Sequence, residues 1–125
     1  MVAQRNAEIA TEFFAMAASG RVREAFEHHV ADVFTHHNPY FPSDREWLLV
    51  AMEQSAATEP NKSFTVKQVI ESGDRVAVLS HLQRAHTDQQ YAVVHILRLA
   101  DSRIVEMWDI AQEVPADSPN ALGMF

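Results

Sequence analysis

An aspartate set among apolar residues is the first sign of chemistry in this sequence: Asp109, in Val105-Glu106-Met107-Trp108-Asp109-Ile110. A carboxylate in such a strand costs free energy unless it is exposed, paired or used. Burial also disfavours its charged form and raises its pKa. A carboxyl group tuned in this way suits general acid/base transfer of a proton beside a carbonyl. A nearby imidazole would strengthen that role. Counting strand register supplies one. With Asp101-Ser102 and Thr87-Asp88 as two-residue hairpin loops, His81 and Asp109 fall on one sheet face, two strands apart, because side chains alternate. Arg98 shares that face, so a structural ion pair between Asp109 and Arg98, with His81 as a satisfied core histidine, is the competing reading. A one-residue bulge would reverse part of the count.

The other candidates are weaker. His36 and His37 are adjacent and point opposite ways in a strand, so at most one faces a cavity. The same register places His95 opposite Trp108, across the sheet from His81. With those two apart, no histidine or carboxylate spacing suggests a metal site. The sequence has no cysteine, hence no thiol nucleophile and no thiolate ligand set. Three glycines in all leave no phosphate-cradling loop, and there is no Gly-x-Ser-x-Gly elbow.

These groups must be held by elements that the hydrophobic period makes visible. Ile9, Phe13, Met16 and Ala17 mark a helix from Ala3 to Ser19, with Gly20 ending it. Val22, Ala25, Phe26, His29 and Val30 mark a second, with His28 on its surface and His29 half-buried. Val33–His37 is β-prone and Asn38-Pro39 breaks it. Ser43 and Glu46 read as a capping box for a third helix to about Ala57 that buries Trp47, Leu48, Ala51 and Met52. From Ser63 the period drops to two, giving strands about Phe64–Ile70, Arg75–Ala85, Gln90–Leu99 and Arg103–Glu113. Helices first and hairpins afterwards predict an α+β domain over 1–125, with helices packed on one face of an antiparallel sheet. The tail ends in apolar Leu122, Met124 and Phe125, which are expected to dock.

A net charge of −7 argues against a nucleic-acid face. No apolar run reaches the ~20 residues of a membrane span, and the N-terminus lacks the apolar core of a signal peptide. A cytoplasmic protein is the expectation.

Thr35-His36-His37-Asn38-Pro39, Gly73-Asp74-Arg75-Val76-Ala77-Val78 and Ile104–Ile110 resemble the SnoaL-like proteins of the nuclear-transport-factor-two-like superfamily. The closing stretch from Pro115 to Phe125 resembles the end of one SnoaL-like branch associated with aldol-type condensation. The resemblance implies a cone of three helices against a curved sheet, a deep apolar pocket, and a homodimer formed through the sheet. In the polyketide cyclases of this family an aspartate on the last strand acts as acid/base on an enolisable carbonyl, without metal or cofactor. Asp109 falls at that position, and His37-Asn38-Pro39 matches the branch's His-Asn-Pro. Met107 stands where the branch commonly has a histidine.

The expected site is therefore Asp109, with a raised pKa, helped by His81 and by His37 at the mouth. Phe14, Asn38, Trp47, Leu79, Val94, Ile96, Arg98 and Met107 are the expected contacts for a small hydrophobic carbonyl compound. The opposite face, carrying Leu82, Leu97, Trp108 and Ile110, is the expected dimer interface. A non-catalytic pocket for a small apolar ligand is the alternative.

Overall fold

The structure, a computed structural model, describes residues 4–125. The expected helix start at Ala3 lies outside the described residues. Helix α1 spans Asn6–Ala18 and buries Ile9, Ala10, Phe13, Phe14 and Met16 along one side. It has no side-chain cap of its own; Glu71, far along the chain, accepts from the Ala7 amide at 2.5 Å. Gly20, at φ +89°, ends it. The Gly20 amide donates to Ala17 O and the Arg21 amide to Met16 O, the paired closure of a Schellman motif. Helix α2 is Val22–His29, buried on Val22, Ala25, Phe26 and His29.

Strand β1 is Val30–His37, and helix α3 is Arg45–Thr58. The cap of α3 sits one residue later than the Ser43 box: Asp44 accepts from the Trp47 amide at 3.0 Å. Ser43 instead gives its carbonyl to the His36 amide. Pairing with β1 thus takes Ser43 and leaves the capping to Asp44, whose charge also suits the helix N-terminus. Leu48 and Leu49 are buried on α3, whereas Trp47 is 47% exposed against Phe41.

Strands β2 (Ser63–Ser72), β3 (Arg75–Gln83), β4 (Gln90–Ala100) and β5 (Arg103–Glu113) complete a sheet ordered β1-β5-β4-β3-β2. The β2–β3, β3–β4 and β4–β5 pairs are antiparallel; β1 lies parallel to β5. Parallel pairing is possible here because α3 and the whole hairpin series separate the two strands in sequence. The fold is α+β, with the helices covering one face. Val76, Val78 and Ser80 of β3, Val93, Leu97 and Leu99 of β4, and Ile104 and Met107 of β5 are buried on the sheet. Phe13, Phe26, Leu48 and Leu49 of the helices belong to the same core.

Two register differences decide where the chemistry falls. The β3–β4 connection is longer than two residues: Gln83 pairs with Gln90, and the Arg84 amide bonds to Gln89 O. Partners shift by two, so faces do not change. In the β4–β5 hairpin the two-residue turn is as expected, Asp101 and Ser102 both taking positive φ, as a type I′ turn requires. Beyond it, however, Leu99 pairs with Ile104 and Arg98 with Glu106. Val105 is the extra residue of a β-bulge, and everything after it in β5 changes sides relative to the simple count. Asp109 consequently pairs with His95, and Trp108 with Ile96.

Candidate active site

The bulge puts Asp109 on the helix-covered face together with His95, and it leaves His81 behind. Parity in β1 adds a third group. Phe34 and His36 are both buried, so they share the inner side while His37 points out. The three converge: His36 Nε2 lies 3.7 Å from Asp109 Oδ2, and His95 Nε2 lies 3.7 Å from Asp109 Oδ1. Asn38 Nδ2 donates to Asp109 Oδ2 at 3.0 Å. Its amide is oriented by its own turn, because Asn38 Oδ1 accepts from the Tyr40 amide at 2.8 Å. The break after β1 therefore positions a ligand of the carboxylate.

These groups line a cavity of about 530 Å3 between helices and sheet. Its wall is mostly apolar, with Phe14, Leu48, Met52, Phe64, Val93 and Met107 among the lining residues. Phe14 lies against the His95 ring, with centroids 4.5 Å apart. A second depression, about 620 Å3, opens on the surface among Arg5, Glu8, Glu12 and Glu71; it is shallow and charged and lies away from these groups.

The electrostatics differ from the expectation of a raised Asp109. Burial does push its pKa up, but the His36 contact, the His95 imidazole and the Asn38 hydrogen bond together outweigh burial, and Asp109 lies below the ordinary carboxylate value. His95 is also lowered. Its burial dominates, Asp109 pulls the other way, and His36 adds to the lowering. At neutral pH the site thus holds a carboxylate beside a neutral His95. Both ring nitrogens of His36 and Nδ1 of His95 are buried and have no hydrogen-bond partner. Buried polar atoms without partners are incompletely compensated, and both histidines that carry them belong to the cavity lining.

The remaining sequence candidates lie elsewhere. His37 is on the outer face, bonded through Nε2 to Glu106 Oε2 at 2.7 Å and stacked on Trp108. His81 is outside too, bonded to Gln90 Oε1 at 2.7 Å and stacked on Phe125. Leu79, Val94, Ile96 and Arg98 share that outer face, because they keep the parity of His81. Arg98 pairs with Glu106 at 2.9 Å and not with Asp109, whose titratable partners among the described residues are His36 and His95. Trp47 does not reach the cavity. Phe14, Asn38 and Met107 do line it. Leu82 and Leu97, expected outside, face the helices; Leu82 lines the cavity and Leu97 is fully buried.

His36 and His95 were missed for different reasons. His36 was legible from Phe34 two residues earlier, an apolar marker of the inner face. His95 depended on a bulge that nothing in Arg103–Glu106 announces. Lys62 and Ser55, which also line the cavity, carry no motif at all.

Residues 10–107 match the family described as the SnoaL-like domain. The chain belongs to that family. Among solved structures, similar folds include IdmH of Streptomyces antibioticus, a candidate polyketide cyclase, at 22% identity and TM-score 0.76, covering 87% of this chain and 93% of that one. AclR of Streptomyces galilaeus, a candidate hydroxylase, aligns at 20% identity and TM-score 0.75 over 86% and 88% of the two chains. A candidate ketosteroid isomerase from Kribbella flavida aligns at 19% identity and TM-score 0.74, over 92% and 83%. At these identities the likeness establishes the fold and not the reaction. No curated protein gives a significant sequence match. Among the described residues no three His, Asp or Glu side chains are grouped as a metal site requires, and no helix is long and apolar enough to cross a membrane.

Proposed function

We propose that this protein is a cofactor-independent enzyme that moves a proton next to the carbonyl of a small hydrophobic compound, in an aldol-type cyclisation, condensation or isomerisation, with Asp109 as the acid/base. The observation that carries this is a carboxylate in an apolar cavity, held between two imidazoles that retain unpaired ring nitrogens. Asp109 begins ionised and acts first as base. It takes a proton from the carbon beside the carbonyl, becomes a neutral acid, and returns the proton to a new position. A base held below its ordinary pKa is fully charged but intrinsically weak, so the barrier must be lowered mainly at the enolate oxygen. The imidazoles of His36 and His95, as N–H donors from the cavity lining, are the groups available for that charge.

The lowered Asp109 favours a second reading, a non-catalytic pocket for a small apolar ligand in which the His-Asp-His-Asn cluster is structural. Deuterium exchange separates the two. Incubated in D2O with β-tetralone, the protein is expected to deuterate the carbon beside the carbonyl faster than buffer does, followed by NMR. A ketone that binds in the cavity without exchange would transfer the assignment to the binding reading.

The proposed assembly is a homodimer through the outer sheet face. Leu79, Val94, Ile96, Trp108 and Ile110 share that face, and Ile110 is 65% exposed. Such an apolar surface is unfavourable in water.

A further inference from the structure

The cavity has a second polar group, remote from Asp109. Lys62 follows the Pro60-Asn61 turn after α3 and directly precedes β2, the edge strand opposite β1. Two strands, β4 and β3, stand between β5, which carries Asp109, and β2. The lateral offset is three strand spacings, about 14 Å. Lys62 is the one lysine or arginine among the described cavity-lining residues, and Asp109 the one carboxylate. The Lys62 ammonium is half-buried and donates to the hydroxyl of Ser55, itself a cavity residue.

What Lys62 lacks is an anion. The carboxylate that acts on it, Glu59, is held by Arg84, whose Nε donates to Glu59 Oε1 at 2.8 Å. Arg84 is further tied to Gln89. No ion pair of Lys62 is formed among the described residues. Its surroundings act on it accordingly: burial lowers its pKa, Glu59 partly restores it, and Arg84 lowers it further. A half-buried ammonium with only a neutral hydroxyl partner is an incompletely compensated charge, which a ligand anion would satisfy.

We propose that Lys62 and Ser55 form an anion-recognition subsite at the end of the cavity away from Asp109, selecting elongated apolar substrates that carry a carboxylate. The ligand then spans the cavity with its acid group at Lys62, its apolar body along Phe64 and Leu82, and its reacting carbon at Asp109. This rests on the acid/base reading of Asp109 for the reacting end only; the recognition itself is a binding property.

The test is calorimetric titration with phenylhexanoate and with phenylhexanamide, its neutral isostere. The wild-type protein should bind the acid about tenfold or more tightly than the amide, as expected for a hydrogen bond to a charged group. Lys62→Met should erase that preference and leave amide affinity within about twofold, which also shows that the variant is folded. Asp109→Asn should keep the preference. Equal affinities for acid and amide, no binding of either, or a preference that survives Lys62→Met would each overturn the subsite. Lost discrimination with intact ketone deuteration would refute the subsite alone. Intact discrimination without deuteration would refute the reaction and leave the subsite standing.

Discussion

Replacing Asp109 with Asn removes one charge and almost no volume, which makes it the sharpest perturbation of the site. Asn can still accept from Asn38 through its carbonyl oxygen, so the turn after β1 has no reason to move. It cannot take up a proton. If Asp109 is the base, β-tetralone deuteration should fall by roughly 10²–10⁴, the usual worth of a positioned acid/base. That corresponds to about 3–5.5 kcal/mol of barrier. Stability should move far less. The pKa of Asp109 is lowered in the fold, so the native state favours the carboxylate over its neutral form, and Asn forfeits that preference. A hydrogen bond to a charged group is worth about 1.5–3 kcal/mol, but the variant also escapes the cost of burying the charge. The net expectation at neutral pH is a loss of about 1 kcal/mol, or about 4 °C in Tm. Exchange by Asp109→Asn within about threefold of wild type, in a protein that still binds the ketone, would refute the assignment, since a lost acid/base cannot cost so little.

Stability should decline as pH falls from neutral through the ordinary imidazole range near 6.5, because His95 and His29 are held below it by burial and the unfolded chain binds more protons there. Thermal melts across that range should show the slope, and His95→Gln should flatten it. Asp44→Ala should cost about 1 kcal/mol through loss of the α3 cap, whereas Ser43→Ala should change Tm by less than about 2 °C, since Ser43 contributes its backbone alone. Light scattering should return twice the monomer mass for the wild type and the monomer mass for Ile96→Glu, whose charge falls in the middle of the outer face; a wild-type monomer would remove the proposed interface.

The fold was legible because it rests on period and punctuation. Ile9, Phe13 and Met16 mark α1, Gly20 stops it, and the alternation after Ser63 marks the strands; each feature acts locally, and the structure keeps it. The parallel pairing of β1 with β5 was not visible, since it joins segments some seventy residues apart without a hairpin to announce it. The site was legible only in part, for a reason of parity. Asp109, Asn38 and Met107 line the cavity, but the expected companions His81, Leu79, Val94, Ile96 and Arg98 are all on the other face. One unpaired residue in β5 accounts for that whole set at once. Asp109's pKa lies below the expectation because the His36, His95 and Asn38 contacts that oppose burial arise from register and from the turn after β1, not from the apolar character of β5.

The bulge at Val105 also makes β5 unequal in its response to changes of length. Pairing resumes at Arg98 with Glu106 immediately past Val105. A chain without Val105 would run straight from Ile104 to Glu106 and keep Asp109 opposite His95, losing only the local bend. A deletion between Glu106 and Asp109 has no such slack. It would carry Asp109 to the outer face with Trp108's neighbours and leave His36 and His95 facing an empty wall. Evolution can therefore shorten this strand at one position while keeping Asp109 between His36 and His95 and, a few residues later, undo that placement by the same single-codon step. Related sequences aligned through this strand should tolerate a gap at Val105 and none between Glu106 and Asp109.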